Sequence, residues 1–336
     1  MAGVLLSVTV DEASVRRLEA LPGVAVRAVE PEGRDWGVSD DLARGADVLL
    51  CKYPPRNLAD LADLKVLQLS TVGYEHLRHL GLADRPLRVC NARGVFDTAI
   101  AEWNLAMMVN LARDLRAMVR NQESATWDRP PRFQQEVRGR TVGLWGYGGI
   151  GRETARLAKA FGLTVHALTR AGVRPRRGAY TPPGAGDPEG VLPDRVFVAG
   201  QEREFLSGLD FLVLALPHTQ QSAGLVGEGQ LRALPRTAFL LNPARGPIID
   251  EQALLTALRE GRVAGAALDT HFAYPLPPEH PLWRAPNAIL TPHVAGADHS
   301  RAFPARMGDL FVQNVRRYRA GEALLNELTA EEWREA

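Results

Sequence analysis

A glycine-rich hexad between an apolar strand and a helix constrains the fold of this chain most strongly. It reads Gly146-Tyr147-Gly148-Gly149-Ile150-Gly151 and follows a strand predicted to begin at Thr141. A helix begins within the hexad, and a second strand follows about twenty residues later. In such a unit the glycines permit a tight turn and a close backbone approach to a pyrophosphate, which faces the positive end of the helix. All six residues are therefore predicted to contact a dinucleotide cofactor.

Short apolar runs alternate with segments of helical periodicity on both sides of the hexad, which predicts parallel sheets covered by helices on both faces. The predicted strands are 4–8, 46–50, 65–69, 87–90, 141–145, 164–168, 211–216, 238–241, 263–268 and 288–290. Helices are predicted at 98–119 as one unbroken element, after a cap at Asp250, and at 306–319. With 336 residues, 46% of them apolar, the chain is predicted to form two α/β domains, each a doubly wound parallel sheet. Residues 171–204, rich in Gly and Pro, are predicted to be a long loop.

Charge and hydropathy indicate what the chain does not bind. Its 40 basic and 39 acidic residues give a net charge of +1, which provides no basic surface for nucleic acid or an anionic membrane. The longest apolar run is far shorter than the roughly 18 residues that span a bilayer, and no charged region of a secretion signal precedes residues 4–10. We therefore expect a cytoplasmic protein with no nucleic-acid or membrane partner. Its two cysteines, Cys51 and Cys90, are expected to be reduced packing residues.

The end of the second strand of the dinucleotide-binding unit indicates which cofactor binds. In NAD-selective sites an acidic residue there hydrogen-bonds the ribose 2′-hydroxyl. This chain has Thr169-Arg170 instead. Because a guanidinium is a planar, bidentate donor to phosphate, we predict that NADP(H) is preferred and that NAD(H) remains possible. Arg174, Arg176 and Arg177 follow and are further candidates for the 2′-phosphate.

Several further motifs occur in order along the chain. They are Ser70-Thr71-Val72-Gly73-Tyr74-Glu75-His76, Asn91 to Gly94 with Ala101-Glu102, the dinucleotide block 141–170, Leu216-Pro217-His218-Thr219, Asn242-Pro243-Ala244-Arg245-Gly246, Leu268-Asp269, and Thr291-Pro292-His293-Val294-Ala295-Gly296. With these motifs, residues 45–325 resemble the D-isomer-specific 2-hydroxyacid dehydrogenases. That family includes glyoxylate/hydroxypyruvate reductases, phosphoglycerate dehydrogenases and formate dehydrogenases.

The resemblance implies a domain organisation and a set of contacts. A flavodoxin-like substrate-binding domain would comprise residues 1–97 and 299–336, and a Rossmann-like dinucleotide-binding domain residues 98–298, with the active site in the cleft between them. The helix 98–119 would form the centre of a homodimer. The backbone amides of Val72 and Gly73 would bind the substrate carboxylate. Further cofactor contacts are implied at Leu216, Pro217, Thr219, Ala244, Asp269, His293, Ala295 and Gly296, with Asp269 on the nicotinamide carboxamide.

Two side chains have the chemistry that reduction of a 2-oxo acid requires. Arg245 follows a predicted strand, at the edge where α/β sheets bind ligands, and its guanidinium can hold a carboxylate and a carbonyl oxygen together. His293 also follows a strand. Histidine titrates near neutral pH, and the resemblance assigns His293 as the acid that protonates the developing alkoxide. Arg93 is a rival to Arg245, but it lies where the family more often has proline.

The chain departs from the family at Tyr274. In most members a glutamate five residues after the aspartate pairs with the histidine and keeps it protonated, whereas this chain reads Asp269-Thr270-His271-Phe272-Ala273-Tyr274-Pro275. Tyr274 is therefore a catalytic candidate that could orient the imidazole through a hydrogen bond. Without the carboxylate, the pKa of His293 is expected to be close to the reference value of about 6.5.

Other polar residues near Tyr274 are weaker candidates. Glu279 is close in sequence, but Pro277 and Pro278 lie between it and Tyr274. His271 and His280 have a spacing that is not typical of a metal-ligand pair, and hydride transfer needs no metal. No metal site is therefore predicted.

Three functions are compatible with these residues. The first is an NADP(H)-dependent reductase of a small 2-oxo acid such as glyoxylate or hydroxypyruvate. The second is a formate-type dehydrogenase, since formate oxidation releases no alcohol proton and needs no glutamate, although residues 95–98 lack the family's formate-binding asparagine. The third is a non-catalytic protein that senses dinucleotide, against which the intact Arg245 and His293 argue. The sequence does not define the substrate's side chain, because loops form that part of the pocket.

Overall fold

The computed structural model describes residues 2–31, 33–77, 80–82, 85–329 and 332. The described residues form two compact units. The first comprises those of Met1–Phe96, Arg177–Pro182 and Asp298–Ala336, and the second Asp97–Arg176 and Pro183–Ala297. The sequence pattern does not predict that residues 177–182 join the first unit. No helix in the described part of the chain is long and apolar enough to cross a membrane.

The first unit is built on a five-stranded parallel sheet. Its elements are β1 Ala2–Leu6, α1 Glu12–Glu19, β2 Val24–Ala28, α2 Asp40–Ala43, β3 Ala46–Cys51, β4 Val66–Leu69, β5 Arg88–Cys90 and α9 Phe303–Arg319. The strand order in the sheet is β2-β1-β3-β4-β5. Alternate strand residues face opposite sides of the sheet. Val4 packs in the layer that contains Phe311 of α9, whereas Leu5 packs in the layer that contains Trp36.

The second unit is built on a seven-stranded sheet. Its elements are α3 Asp97–Ala112, α4 Leu115–Glu123, β6 Thr141–Trp145, α5 Gly149–Ala160, β7 Thr164–Thr169, β8 Arg195–Val198, α6 Glu202–Ser207, β9 Phe211–Leu214, α7 Glu228–Ala233, β10 Phe239–Asn242, α8 Glu251–Arg259, β11 Gly265–Leu268 and β12 Ala288–Leu290. The strand order is β12-β11-β10-β9-β6-β7-β8, and every strand pair is parallel. Apolar layers cover both faces of the sheet. The predicted fold class, two doubly wound parallel-sheet domains, is confirmed.

The helix predicted at 98–119 is wrong as a single element. Helix α3 ends at Ala112, and α4 begins at Leu115. Between them Asp114 adopts a left-handed conformation with φ of +46°, and its carboxylate accepts the backbone N–H of Ala117 at 3.4 Å. Aspartate tolerates this conformation better than most residues because its short side chain hydrogen-bonds locally. The hydrophobic period continues from α3 into α4, so the sequence pattern does not indicate the break between the two helices.

The other corrections concern short strands at sheet edges. Strand β2 was not predicted, and β8 lies in the segment predicted as a loop over 171–204. Each is an edge strand. No residue of β2 is fully buried, and Val196 and Val198 of β8 are exposed, so neither strand is marked by a run of buried apolar residues. By contrast, the predicted cap of α8 is confirmed, because Asp250 Oδ1 accepts the N–H of Ala253 at 2.7 Å.

Candidate active site

The predicted functional residues of the second unit lie on loops at the carboxyl ends of its strands. The glycine hexad follows β6, Thr169-Arg170 closes and follows β7, and the loop 216–219 follows β9. Arg245 follows β10, Asp269 and Tyr274 follow β11, and the loop 291–296 follows β12. The strand order reverses between β6 and β9, and open α/β sheets bind ligands in the crevice at such a point. Parallel strands therefore place all these loops at one edge of the sheet.

The glycine hexad has one open position between two tightly packed ones. Gly146 has φ of +102°, and a Cβ there would overlap the carbonyl oxygen of Ala215. A Cβ at Gly151 would overlap the carbonyl oxygen of Gly146. Gly148, the residue that precedes α5, is exposed, and a Cβ there would meet no described atom within 4 Å. The turn therefore leaves space for a pyrophosphate at Gly148, at the N-terminus of α5.

The side chain of Tyr147 is engaged by the protein. It is buried, and its hydroxyl donates to Asp187 Oδ2 at 2.7 Å. Burial and this carboxylate raise the pKa of the phenol far above its ordinary value. Any contact of Tyr147 with a cofactor is therefore through its backbone.

The end of β7 presents two polar groups suited to a phosphorylated ribose. Thr169 Oγ1 is buried and has no hydrogen-bond partner among the described residues. The side chain of Arg170 is exposed directly after the strand. A buried polar atom is normally hydrogen-bonded, and the described residues leave the hydrogen-bonding capacity of this hydroxyl unused. Of the other predicted arginines, Arg176 pairs with Asp97 at 3.6 Å, and Arg177 belongs to the first unit.

The loop after β9 is fixed by internal hydrogen bonds. Ser222 donates to the carbonyl oxygen of Pro217 at 2.9 Å and accepts the N–H of Thr219 at 2.8 Å. Pro217 and Thr219 are exposed, and Leu216 is half-buried against the apolar layer. The predicted cofactor contacts in this loop therefore lie on a pre-formed surface. Ser222, which holds it, was not identified from the sequence.

The loop that carries Arg245 is held by a buried asparagine. Asn242 Nδ2 donates to the carbonyl oxygen of Arg245 at 2.8 Å, and Asn242 Oδ1 accepts the N–H of Ala244 at 3.1 Å. A Cβ at Gly246 would overlap the carbonyl oxygen of His271, so this loop packs against the segment after β11. The Arg245 side chain is half-buried, with Nη1 at 2.8 Å from the carbonyl oxygen of Ala244. Asn242, the first residue of the motif, therefore fixes the backbone position of Arg245.

Asp269 holds the loop that carries His293. Its Oδ1 accepts the hydroxyl of Thr291 at 2.6 Å and the N–H of Val294 at 2.9 Å, and its Oδ2 accepts the N–H of Ala295 at 2.9 Å. His293 adopts a left-handed conformation with φ of +59°, and its side chain is exposed. A carboxylate has about four acceptor positions, so one remains for the predicted carboxamide contact. The sequence did not indicate that Asp269 also holds the loop that carries His293.

Tyr274 lies next to His293, as its place in the sequence suggests. The two ring centroids are 5.5 Å apart, with an angle of 49° between the ring planes. The phenol oxygen accepts the backbone N–H of His271 at 3.2 Å, which leaves its hydroxyl hydrogen free to donate. The side chain is 58% exposed. An aromatic phenol therefore occupies the space beside the imidazole.

The two other histidines of this region have structural contacts. His271 is buried, and its Nε2 lies 2.8 Å from the carbonyl oxygen of Thr291. His280 Nε2 lies 2.7 Å from Glu251 Oε1. The described residues contain no group of three or more His, Cys, Asp or Glu side chains that could hold a metal ion. Glu279 is exposed.

The loop with Val72 and Gly73 belongs to the first unit and follows β4. Its carbonyl groups are used internally: Asn91 Nδ2 donates to Val72 at 2.9 Å, and the hydroxyl of Thr71 donates to Gly73 at 2.8 Å. These bonds fix the backbone of the loop. Arg93, the rival to Arg245, also belongs to this unit, and its Nη2 pairs with Glu332 at 2.7 Å.

Comparison with known proteins points to one family. A family model described as the NAD binding domain of D-isomer specific 2-hydroxyacid dehydrogenases matches residues 105–295. A glyoxylate reductase of Thermofilum pendens is 32% identical over 333 residues, which cover 93% of this chain and 94% of that protein.

Solved structures agree with that match. A D-isomer specific 2-hydroxyacid dehydrogenase of Xanthobacter autotrophicus, in complex with NADPH and MES, is 27% identical with a TM-score of 0.76, and the match covers 99% of each chain. An NADPH-dependent glyoxylate/hydroxypyruvate reductase of Sinorhizobium meliloti, in complex with citrate, is 26% identical with a TM-score of 0.72, and the match covers 98% of each chain.

Proposed function

Because this chain belongs to the D-isomer specific 2-hydroxyacid dehydrogenases and is thus an oxidoreductase, we propose that it reduces glyoxylate or hydroxypyruvate with NADPH. The observation that carries the proposal is the set of loops at one sheet edge, where Arg245, His293 and the open glycine turn all follow parallel strands. A 2-oxo acid needs a cation, a hydride donor and a proton donor at one place. In this chain Arg245 would supply the cation and His293 the proton donor.

Arg245 is proposed to bind the substrate. A guanidinium donates two parallel hydrogen bonds, so it can hold one carboxylate oxygen and the carbonyl oxygen of a 2-oxo acid in one plane. This fixes the carbonyl carbon and stabilises negative charge on its oxygen. The backbone amides of Val72 and Gly73 are proposed to bind the carboxylate as well, on the resemblance described above.

His293 is proposed to supply the proton. Hydride addition to the carbonyl carbon turns the carbonyl oxygen into an alkoxide, which takes a proton from the imidazolium. A bound NADPH supplies the hydride. The 2-hydroxy acid and a neutral imidazole result, and the imidazole regains its proton from solvent. Tyr274 is proposed to orient the imidazole through their ring contact and its free hydroxyl hydrogen.

Arg170 and Thr169 are proposed to select NADPH. The end of β7 carries no carboxylate to accept a ribose 2′-hydroxyl, and its two polar groups are donors suited to a 2′-phosphate. Loss of a hydrogen-bonded charge pair costs about 1.5–3 kcal/mol, or roughly ten- to a hundredfold in affinity. The Arg170→Ala variant should therefore lose NADPH binding by that factor and retain NADH binding.

Turnover assays test the proposal. We expect NADPH-dependent reduction of glyoxylate or hydroxypyruvate to exceed that of pyruvate and phenylpyruvate, and NADPH to exceed NADH in kcat/KM. Formate with NADP⁺ is the matching test of the formate-type alternative. If formate is the only substrate turned over, the formate-type function is correct and this proposal is wrong. Equal or NADH-favouring kcat/KM values in the wild type would refute the cofactor assignment.

Two expectations about the protein as a whole accompany the proposal. We propose a homodimer, which light scattering coupled to size-exclusion chromatography tests directly. A cytoplasmic location is proposed on the charge and hydropathy arguments given above, and cell fractionation tests it.

A further inference from the structure

A guanidinium from the loop after β7 lies against the first residue of α5. Arg176 Nη1 is 3.6 Å from Asp97 Oδ2, and both side chains are mostly buried, with 17% and 10% of their surface exposed. A Cβ at Gly149 would overlap the Asp97 carboxylate and come within 2.6 Å of Arg176 Nη1. Glycine at 149 therefore admits an ion pair beside Gly148, the open position of the turn.

The ion pair changes the charge that a cofactor would meet. Asp97 is the first residue of α3 and its carboxylate is close to the N-terminus of α5. A carboxylate there would repel a pyrophosphate, and Arg176 offsets that repulsion. A guanidinium has five N–H donors in a planar fork, so one side of Arg176 can pair with Asp97 while other N–H groups donate elsewhere.

The backbone that delivers Arg176 is anchored to the glycine hexad. Its N–H donates to the carbonyl oxygen of Pro188 at 2.8 Å. The neighbouring Asp187 carboxylate accepts the hydroxyl of Tyr147 at 2.7 Å and the N–H groups of residues 190, 191 and 192, each at 3.0 Å. Buried Arg152 donates from Nε to the carbonyl oxygen of Tyr147 at 3.2 Å and from Nη2 to that of Arg174 at 2.5 Å. Residues 174 and 187–192, on either side of the segment that joins the first unit, are thus tied to Tyr147 of the hexad.

We propose that Arg176 is a cofactor-binding residue that contacts the pyrophosphate of the dinucleotide, with Asp97 as the partner that orients its guanidinium. The inference rests on the proposed dinucleotide cofactor. The hexad supplies only backbone N–H groups for the phosphates, and Arg176 would add a charged side chain. Arg176 and Arg170 then serve different phosphates. Arg176 meets the pyrophosphate that NADH and NADPH share, and Arg170 meets the 2′-phosphate that only NADPH has.

Binding measurements separate the two arginines. The intrinsic fluorescence of NADH and NADPH gives dissociation constants without any substrate. We expect Arg176→Ala to weaken both cofactors by the same factor, about ten- to a hundredfold, whereas Arg170→Ala weakens NADPH alone. Arg203→Ala removes one exposed positive charge from α6 and should leave both constants unchanged.

A second probe distinguishes the loss of a phosphate contact from disorder of the loop that carries Arg176. Adenosine 2′-monophosphate has the 2′-phosphate but no 5′-phosphate, so Arg176→Ala should bind it like the wild type and Arg170→Ala should bind it more weakly. Adding Asp97→Asn to Arg176→Ala should recover part of the lost NADH affinity, because it removes the negative charge whose repulsion of the pyrophosphate Arg176 offsets.

Each other outcome decides the question. If Arg176→Ala binds both cofactors as tightly as the wild type, or more tightly because the loop had occluded the turn, the inference is wrong while the proposed function stands. If Arg176→Ala also loses affinity for adenosine 2′-monophosphate, the arginine acts through loop structure and the inference is wrong. If the wild type binds neither cofactor, the proposed function fails and this inference fails with it.

Discussion

Replacing Tyr274 with glutamate tests how the environment of His293 sets the pH dependence of reduction. Reduction requires the imidazolium, so kcat is expected to fall as pH rises through about 6–7 in the wild type, where no carboxylate stands at position 274. A carboxylate beside the imidazole favours its protonated form. Tyr274→Glu should therefore move the falling limb to higher pH.

The ring geometry gives the size of the shift. A glutamate carboxyl carbon would lie about where the phenol ring centre lies, which is 5.5 Å from the imidazole centre. Two unit charges at that distance interact by about 0.8 kcal/mol at the dielectric constant of water and about 3 kcal/mol at an effective value of 20. Since Tyr274 is 58% exposed, the value for water is the closer one. The expected shift is about 0.5–1 pH unit, because 1.36 kcal/mol corresponds to one pKa unit.

Tyr274→Gln is the matched control. It has the shape of the glutamate variant without the charge, and both variants lose the bond that the phenol oxygen accepts from the His271 N–H. The assay is the pH profile of kcat for glyoxylate reduction at saturating NADPH, from pH 5 to pH 9. If the glutamate and glutamine variants have superimposable limbs, position 274 is not the partner position and another group sets the proton affinity of His293.

Three further predictions concern substrate binding and stability. Arg245→Lys keeps the charge but not the bidentate fork, so kcat/KM should fall at least about tenfold, and fluorescence titration should show an unchanged NADPH affinity. Asp187→Asn leaves at least two of four hydrogen-bond donors without an acceptor, which should lower the free energy of unfolding by about 2–4 kcal/mol in urea titrations; a loss below about 0.5 kcal/mol would contradict the anchor role. Hydrogen bonds from Arg88 lower the pKa of Glu327, and because the folded pKa is the lower one, this stability is present above about pH 4.3 and is lost as pH falls through the folded value. Arg88→Gln should therefore lower Tm at pH 7 and lower it progressively less on acidification, and a constant difference across that range would refute the assignment.

The coarse architecture follows from the sequence because its signals are local. Strand β6 is buried from Val142 to Trp145, and its predicted bounds agree with the structure residue for residue, as do those of the edge strand β12. The glycine hexad is equally local, since the overlaps that a Cβ would create at Gly146 and Gly151 arise from the turn itself and the next strand. Arg245 and His293 are predicted site residues because each follows a strand within a motif, and Tyr274 because it stands where the resembled family has a glutamate.

Tertiary contacts decided the remaining features, because they join residues that no local period relates. Asp114 interrupts a helix whose hydrophobic pattern continues, since its carboxylate caps α4 and pairs with Arg132. Asp187 is 40 residues along the sequence from Tyr147, whose hydroxyl donates to it. Asp269 is 26 residues from Ala295, whose N–H donates to it. In the sequence, Arg176 is one of several arginines in a Gly/Pro-rich segment. Only the folded chain gives it a buried carboxylate on one side and the glycine turn on the other, because a loop's path is set by the donors and acceptors it meets.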